Sequence, residues 1–599
     1  MTGNSPPHVR FGYDLATIRH RQLPVLASWH VTVLVIEAGG SALSNAVSSN
    51  AAAYGEYPGP IMSNPHTFSG MGVAAVAQAN SLNWGYRTIP QKYARNETQG
   101  IPAGRGIGGS SLVNGMVYSR ADSPQIDSWE EAGNTGWNWA SLLSYYKKSE
   151  HFQNPGTVQI AGGVAYESAV HGFQGPLSTG YTTAMTATAN QFPGALNTSY
   201  QASGVPFNDD MNGGDMRGFS VIPQTLNTTS GKDVRADSGR SYYYPFTSRT
   251  NLNLVDNTRA HKIIWASQND ATGNAVASAV EVTASDGTTQ TYQASKEVIV
   301  SCGSYASPAF LERSGVGNPK ILSSFGIDTK VDLPGVGENL MDQVSSNLTH
   351  NLTKSIGFQL GTYATYLNVT DVFGANASDF TTSISNALPG YASAIAAQNN
   401  NSTSSEDLLT LLRLQYDDIF QDKIPLLEIL HHASGQVLTS EFWGTLPFAR
   451  GNVHISSADN SALPNINLNY WMFEYDAATM IAAARYLRKL FQEQALQDAT
   501  IEELHPGLSA IPDDADDQTW ETYLKGAYHT AYHGLGSAIM LPKEMGGVVS
   551  NHTLVYGTAN VRVVDASIIP FQTNGHTQAT VYSLAEKASD IIKQDGKLV

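Results

Sequence analysis

Val31-Thr-Val-Leu-Val-Ile-Glu-Ala-Gly-Gly40 is the stretch of sequence that decides the fold. Residues 31–36 are mostly β-branched and apolar, which is typical of a strand buried on both faces of a parallel sheet. The acid Glu37 follows directly, and Gly39 and Gly40 come next. In dinucleotide sites an acid at this place binds a ribose hydroxyl, although a surface carboxylate at a strand end is commoner. We therefore predict a parallel sheet with Glu37 as a candidate ribose ligand.

Other segments extend this pattern along the chain. Residues 297–302 and 561–564 are similarly apolar and predict two further buried strands. Residues 252–300 alternate in polarity between Asn-Asp, Thr-Gly and Asp-Gly turns, which predicts a β-meander. Residues 475–495 are helical by period, and the middle of the chain, about 345–535, reads as a different unit. The fold class is therefore α/β, with α+β character in part.

Length and composition exclude several classes of protein. A chain of 599 residues usually divides into more than one domain. Its net charge of −17 argues against a nucleic-acid partner, because phosphate binding needs a basic surface. No run of 18 apolar residues occurs, so we expect no membrane span. The single cysteine, Cys302, lies in an apolar stretch and is expected to be an inert buried thiol.

The sequence gives two opposing signals about localisation. Residues 1–30 lack the basic start and apolar stretch of a signal peptide. Several Asn-x-Ser/Thr sequons nevertheless indicate a secreted glycoprotein, and a cytoplasmic location stays open. The sequons include Asn96, Asn197, Asn227, Asn347, Asn351, Asn368, Asn376 and Asn551.

The richest motif is Gly104-Arg-Gly-Ile-Gly-Gly-Ser-Ser-Leu-Val-Asn-Gly115. It formally satisfies G-x-G-x-x-G, but the polar residues 95–103 precede it, and the dinucleotide fingerprint must follow a buried strand. The glycines still let backbone N–H groups approach an anion or a ring, while Ser110 and Asn114 offer hydrogen bonds. A tight structural loop explains the segment equally well.

Two histidine segments near the C-terminus are candidates for acid–base chemistry. His529 and His533 stand four residues apart, and His576 follows another turn. Gly534 and nearby glycines disfavour the helix that a zinc pair would need, and no third ligand is close, so we predict no metal. Loop histidines are often plain surface residues, but these two segments can also converge as an acid–base pair. Hydrolase, NTPase and zincin motifs are not found.

Together these segments resemble the glucose-methanol-choline (GMC) oxidoreductase family, particularly its fungal glucose oxidase-like branch. The resemblance implies a Rossmann-like FAD-binding domain and a substrate domain built on an antiparallel sheet and helices. We expect the FAD-binding domain at 31–150, 220–340 and 540–599, and the substrate domain at 151–219 and 341–539. The blocks that carry the resemblance are 104–115, 303–317, 332–343, 532–536, 542–549 and 562–567.

The resemblance also implies the roles of individual residues. His533 and His576 match the catalytic pair, which removes the hydroxyl proton of an alcohol while hydride passes to FAD. Glu428 is a possible supporting acid that orients a catalytic histidine. The residues expected to hold FAD are Glu37, Ser110, Asn114, Gly115, Met116, Val117, Ala260, Asp565, Ala566, Thr577 and Gln578.

Two departures from the family pattern matter. Residues 1–30 contain no G-x-G-x-x-G, so either they derive from a mispredicted or alternatively spliced first exon, or FAD binding is weak or lost. His529 and Ala531 occupy places where glucose oxidases carry an Arg and an Asn for sugar hydroxyls, while Trp443 is retained in the pocket wall. Because lost polar partners discriminate strongly against a polyol, glucose is not the expected substrate.

Two functions therefore remain open. The first is an FAD-dependent oxidase or dehydrogenase acting on a primary or secondary alcohol, such as an aryl, aliphatic or secondary-metabolite alcohol. Oxygen or another acceptor would take the electrons. The alternative is a flavin-free, inactive relative, or a mispredicted gene product, that serves as a binding protein.

Overall fold

A five-stranded parallel sheet organises the first part of the molecule. The computed structural model describes residues 8–12, 31–44, 82–183, 185 and 191–597. The sheet has the order β3-β2-β1-β4-β5, and all its neighbours run parallel. This is the doubly wound order, in which ligands bind at the crevice beyond the carboxyl ends of β1 and β4. The strands are β1 (His8–Gly12), β2 (Val33–Ile36), β3 (Leu252–Val255), β4 (Val298–Ser301) and β5 (Val561–Val563).

The three strands predicted at 31–36, 297–302 and 561–564 are confirmed as β2, β4 and β5. Residues 1–30 contain no G-x-G-x-x-G, but the structure places a strand, β1, within them. β1 lies between β2 and β4, with Val9 opposite Leu34 and Val298. Its five residues are too few to give a pattern that distinguishes a strand. In the family, the glycine fingerprint follows this strand. The residues at that place here, 13–30, lie outside the described residues.

The meander predicted at 252–300 is confirmed over residues 258–293 as a three-stranded antiparallel sheet, whereas its first segment, 252–255, is β3 of the parallel sheet. Helices then cover the parallel sheet, and Trp139–Ser149 packs along Thr577–Asp595. The meander strands are Thr258–Trp265, Ala277–Ala284 and Thr289–Gln293, and the other helices of this unit are Ser123–Glu131, Ser307–Arg313 and Pro319–Ser324.

The second unit is built on two long antiparallel strands, Val344–Leu367 and Leu427–Gly444. Three short strands pair with the first of them: Gly218–Val221, Thr500–His505 and His529–Thr530. The helix predicted at 475–495 spans Glu474–Leu490, and a separate short helix follows. The other helices of this unit are Thr157–Ala161, Gln191–Ala202, Val369–Phe373, Ala377–Gln398, Ser405–Phe420, Gln494–Gln497 and Asp517–Ala527.

Short strand pairs join these elements. They are Tyr86–Arg87 with Gly100–Ile101, Glu150–Phe152 with Leu177–Thr179, Leu226–Asn227 with Val234–Arg235, and Val316–Gly317 with Val331–Asp332. Glu338–Leu340, Gly451–His454 and Asn465–Asn467 form a further three-stranded sheet. In the part of the chain that the structure describes, no helix is long and apolar enough to cross a membrane.

The strand Leu427–Gly444 folds back on itself. His431 Nδ1 lies 2.9 Å from Ser440 Oγ, whereas nine residues of extended strand span about 30 Å. The pairing register of the two long strands shifts between Asn351 and Tyr363, where this bend occurs. As a result, side chains from opposite ends of the strand meet at one place.

Two hydrophobic clusters fill the molecule. One joins the parallel sheet, the meander and the C-terminal helix, and the other fills the second unit. Tyr86, Ala94, Ile101 and Ala103 pack into the second cluster, although residues 31–150 were expected in the FAD-binding domain. The domain boundaries given by the sequence stay a prediction. We call a third, smaller cluster the apolar wall. It consists of Val117, Met211, Met216, Ile222, Ala364, Tyr366, Leu430 and Trp443.

Candidate active site

Asp342 fixes the turn that carries His533. One oxygen of its carboxylate accepts the backbone N–H of His533 at 2.9 Å. The other accepts the hydroxyl of Tyr470 at 2.7 Å and that of Thr530. Tyr532 takes a left-handed backbone with φ of 64°, so the segment is a turn and not the helix that a zinc pair would need. The main chain at His533 is therefore held from several directions.

The imidazole of His533 is neutral at ordinary pH. Burial, and secondarily the nearby His576, hold its pKa well below the usual value. Its Nδ1 lies 2.7 Å from Oε1 of Gln343. A neutral imidazole can accept a proton, which is the first requirement of a general base.

His576 stands at the start of the C-terminal helix Thr577–Asp595. Its backbone N–H donates to Ser119 Oγ at 2.9 Å, and its Nε2 lies 3.0 Å from Oε1 of Glu428. The side chain of Glu428 is fully buried, and this burial raises its pKa, while His576 opposes the shift. Gly575 is required before His576, because a Cβ there would lie 1.7 Å from the carbonyl oxygen of Arg120.

The structure brings His533 and His576 together. Their ring centroids are 4.9 Å apart and their planes are nearly perpendicular, at 83°. Trp443 meets both rings edge to face, with its centroid 6.4 Å from His533 and 5.7 Å from His576. The bend of strand Leu427–Gly444 explains this arrangement, since it delivers Glu428 and Trp443 to the same histidine.

The three predicted pocket residues divide into two groups. Trp443 belongs to the apolar wall, and Ala531 packs against that wall. His529 instead turns its Nε2 toward the buried carboxylate of Glu441, at 3.5 Å. His432 approaches the other oxygen of Glu441 at 3.2 Å, so this carboxylate lies between two imidazoles. The histidine pair therefore contacts the apolar wall through Trp443.

Glu37 lies at one end of the candidate cofactor cleft. It is buried directly after β2, accepts the N–H of Gly39 at 2.8 Å, and has a pKa raised to about 8 by burial. It lines a cavity of about 70 Å³ together with Ala260 and Cys302. Cys302 follows β4 and is partly buried, and burial raises the pKa of its thiol. A buried carboxyl group facing a cavity is suited to a polar ligand group such as a sugar hydroxyl.

The glycine-rich segment continues this cleft toward the histidines. Gly104 must lack a side chain, because a Cβ there would lie 2.1 Å from the carbonyl oxygen of Gly109. The hydroxyl of Ser110 accepts the N–H of Gly104 at 3.1 Å. Asn114 donates to Gln578 Oε1 at 2.9 Å, and Gln578 donates in turn to the carbonyl of Val117. The segment 114–117 is thus tied to the first turn of the C-terminal helix.

The remaining predicted residues lie at the end of the glycine-rich segment, just after β5 and at the start of the C-terminal helix. Met116 has a positive φ of 63° and is buried, whereas Gly115, Ala566 and Thr577 are partly exposed. Asp565 accepts the N–H of Gly303 at 2.9 Å and the hydroxyl of Ser307 at 2.5 Å. Both oxygens of Asp565 bind protein donors, since the second accepts from Ser567. This carboxylate therefore shapes the loop beyond β4.

Several residues that organise the site have no role predicted from the sequence. Asp342 and Gln343 lie at the end of the segment 332–343. That segment was used only as one of the blocks that carry the family resemblance. Arg235 was also missed, although its buried guanidinium donates to the carbonyl and side-chain oxygens of Asn114 at 2.8 and 2.7 Å. An arginine in a polar stretch gives no sequence signal that it is buried.

Within the described ranges, no three His, Cys, Asp or Glu side chains group to hold a metal.

The residues present fit FAD. The order of the parallel sheet provides the crevice, Glu37 provides a buried carboxyl group at the end of β2, and Asn114, on the glycine loop, binds Gln578, two residues after His576. The close contact between the Glu37 turn and that loop supports the fit, because a Cβ on Gly39 would lie 2.6 Å from the amide nitrogen of Gly106. Residues 13–30, on which the flavin-free alternative rests, lie outside the described residues.

A doubly wound sheet, a glycine loop and a pair of partly buried histidines in contact together define a flavin-dependent oxidoreductase. Family models described as GMC oxidoreductase match residues 32–345 and 447–585. The chain therefore belongs to the GMC oxidoreductase family, and its cofactor is FAD.

Individual relatives agree with this assignment. The chain is 37% identical over 565 residues to the glucose oxidase-like protein fsoC of Humicola fuscoatra, covering 94% of this chain and 91% of that protein. It is 32% identical over 583 residues to a glucose oxidase of Aspergillus carbonarius (strain ITEM 5010), covering 94% and 89%. An FAD-dependent oxidoreductase from Chaetomium thermophilum has the same fold, with a TM-score of 0.82 at 24% identity over 99% of this chain and 100% of that one.

Proposed function

We propose that this protein oxidises a primary or secondary alcohol, with His533 as the base that takes the hydroxyl proton. The observation that carries the proposal is the contact between two perpendicular imidazoles, 4.9 Å apart, beside the apolar wall. The neutral state of His533 supports its role, because only the unprotonated ring accepts a proton. The chemistry that FAD would supply when bound is the acceptance of the hydride and the transfer of its electrons to oxygen or another acceptor.

His576 completes the pair in a different way. Its Nε2 is engaged by the carboxyl group of Glu428, whereas His533 is engaged through Nδ1 by a neutral amide. A carboxylate partner orients the ring and stabilises its N–H bonds. We propose that His576 holds the substrate oxygen by a hydrogen bond while His533 removes the proton. Glu428 is then a positioning residue, since it acts through His576.

We propose that the substrate is an apolar or aromatic alcohol and not glucose. Ala531 offers no hydrogen bond to a sugar hydroxyl, Trp443 offers only its indole N–H, and His529 faces Glu441. A polyol in such a site would leave several hydroxyl groups without partners, which costs about 1–3 kcal/mol for each buried group. An aryl or secondary-metabolite alcohol would instead bury its hydrophobic part against the apolar wall.

An alcohol panel tests this function. Purified protein is mixed anaerobically with aryl, long-chain aliphatic and sugar alcohols, and bleaching of the visible flavin band is followed. We expect aryl or aliphatic alcohols to bleach the band and glucose at millimolar concentration to leave it nearly unchanged. Peroxide formation in air, compared with reduction of an artificial acceptor, then separates an oxidase from a dehydrogenase. Rapid bleaching by glucose alone would contradict the proposed substrate class.

We also propose that the protein is exported and glycosylated. Asn96 and Asn376 are exposed sequon residues, which supports their modification, whereas Asn347 and Asn368 are buried. In protein secreted from a fungal host, we expect glycans at Asn96 and Asn376 and none at the two buried positions. Peptide mass spectrometry after enzymatic deglycosylation measures this. Unmodified Asn96 and Asn376 in the secreted protein would refute the proposal.

A further inference from the structure

Gln343 is a buried residue whose amide orientation is fixed by its surroundings. Its Nε2 donates to two backbone carbonyl oxygens, of Thr445 at 2.7 Å and of Thr573 at 3.3 Å. Carbonyl oxygens only accept hydrogen bonds, so a flipped amide would place its own oxygen against both of them. The Oε1 of Gln343 must therefore be the atom that faces His533 Nδ1, at 2.7 Å.

This orientation decides which nitrogen of His533 carries the proton. An amide oxygen cannot donate, so the 2.7 Å contact is a hydrogen bond only if Nδ1 of His533 is the donor. A neutral imidazole has a single N–H, and when Nδ1 holds it, the lone pair for accepting a proton is on Nε2.

We propose that Gln343 is a positioning residue that holds neutral His533 in its Nδ1–H tautomer and so reserves Nε2 as the basic atom. The inference deepens the proposed function and rests on it. Gln343 does this with a neutral amide, which orients the ring without adding a charge beside it. It also joins the segments on either side of the site, because Thr445 follows the strand of Trp443 and Thr573 precedes His576.

The charged groups around His533 leave this assignment intact. His576 faces the ring at 4.9 Å, and Glu428 lies behind His576. Asp342 binds the backbone N–H of His533 and not its ring. The partner of His533 Nδ1 is therefore the neutral amide of Gln343. A carboxylate in the same place would instead favour the charged ring.

The direct test is a measurement of the tautomer that needs no substrate. Protein with ¹⁵N-labelled histidine is examined by NMR, and the His533 signals are assigned by their loss in His533→Asn. We expect a protonated Nδ1 and an unprotonated Nε2 in the unmodified protein. A proton on Nε2 would overturn the inference while leaving the alcohol reaction itself untouched.

Variants separate positioning from packing. In Gln343→Met the acceptor is lost at nearly constant volume, so we expect both tautomers and a fall in kcat of about 10²-fold, with KM little changed. Gln343→Glu keeps an oxygen acceptor but also favours the charged ring, so we expect Nδ1 to stay protonated and the variant to be more active than Gln343→Met only at a pH high enough to leave His533 neutral. A role in packing alone predicts the reverse order, because a buried acid is costlier than a methionine.

Gln415 offers a matched control elsewhere in the chain. It is equally buried, donates to the carbonyls of Leu446 and Pro447 at 3.0 and 3.1 Å, and accepts from Arg450 at 2.6 Å. Gln415→Met should therefore lower stability to a similar extent without changing the tautomer of His533. If it altered the His533 signals as much as Gln343→Met does, the inference would fail.

Discussion

Replacing His533 with alanine is expected to lower kcat for the preferred alcohol by about 10²- to 10⁴-fold, the range that a positioned general base contributes. Without the imidazole, the hydroxyl proton must leave to water, and the electron-rich oxygen that makes the hydride transferable no longer develops. Because Trp443 and the apolar wall remain, KM should change far less than kcat. Stopped-flow reduction per bound flavin measures the effect.

His350→Ala is the matched control for this variant. His350 is also buried, burial lowers its pKa to about 3, and it stacks on Phe491 with ring centroids 3.6 Å apart. The replacement removes a neutral, buried imidazole that lies outside the active site, so kcat per bound flavin should be preserved. A His533→Ala protein that turns over as fast as the His350→Ala protein would rule out His533 as the base.

The pH profile follows from the same histidine. The active form is the neutral ring, and a lowered pKa keeps His533 neutral below its ordinary value of 6.5. The acid limb of kcat/KM should consequently lie below pH 6.5. This limb should disappear in His533→Ala, whose residual rate depends on water.

Replacing Arg120 with methionine is expected to destabilise the protein by about 3–5 kcal/mol, because it removes the guanidinium from a buried ion pair and leaves Glu150 with fewer partners. The guanidinium of Arg120 lies 3.0 Å from Glu150, and both side chains are fully buried. His171 bridges Glu150 at 3.0 Å and Asp210 at 2.8 Å. These four residues, which we call the buried ion network, stand directly behind the turn that carries His576, since Arg120 contacts Gly575.

The stabilisation by the buried ion network should depend on pH. Burial opposes the charge on Glu150 and Asp210, but their partners hold both pKa values below the usual ones, so their contribution is lost as pH falls through these lowered values. Burial likewise opposes the charge on His171, but the two carboxylates raise its pKa, so its contribution is lost as pH rises through that raised value. The contributions of all three groups to the free energy of unfolding are therefore complete between pH 4.5 and pH 6.5. These limits are the ordinary pKa values of the Glu150 and His171 side chains.

Urea unfolding at several pH values measures this network. The difference between the unmodified protein and Arg120→Met should be largest inside that pH window. The double variant Arg120→Met, Glu150→Gln should recover part of the loss, because neither member of the pair then stays buried and charged alone. A single variant as stable as the unmodified protein across the whole range would contradict the role of the network.

Local sequence patterns predicted much of the fold. Strands β2, β4 and β5 and the meander were predicted because burial on both faces and turn residues leave signals within a few residues. The family resemblance predicted His533, His576 and Glu428, whose imidazoles and carboxyl group the structure brings into contact. Spacing alone gives no such result, since the residues come from a turn, a helix start and a folded strand.

Other features depend on contacts between distant segments and have no local signal. β1 is a strand because β2 and β4 pair with it on both sides. The amide of Gln343 acquires its orientation from Thr445 and Thr573, which are far away in sequence. The left-handed backbone of Tyr532 likewise follows from the hydrogen bonds of Asp342, because tyrosine itself disfavours that conformation.

The order of the parallel sheet has a consequence for how the protein is made. β5, at residues 561–563, is an outer strand that pairs with β4, and it emerges from the ribosome after the other four strands of the sheet. The histidine at 576 and the helix behind it follow still later. Domains fold as units and non-local pairing is slow, so the nascent chain must keep an exposed strand edge at β4 until residues 561–563 have left the ribosome. Chaperones that shield that edge would therefore govern the yield of active protein.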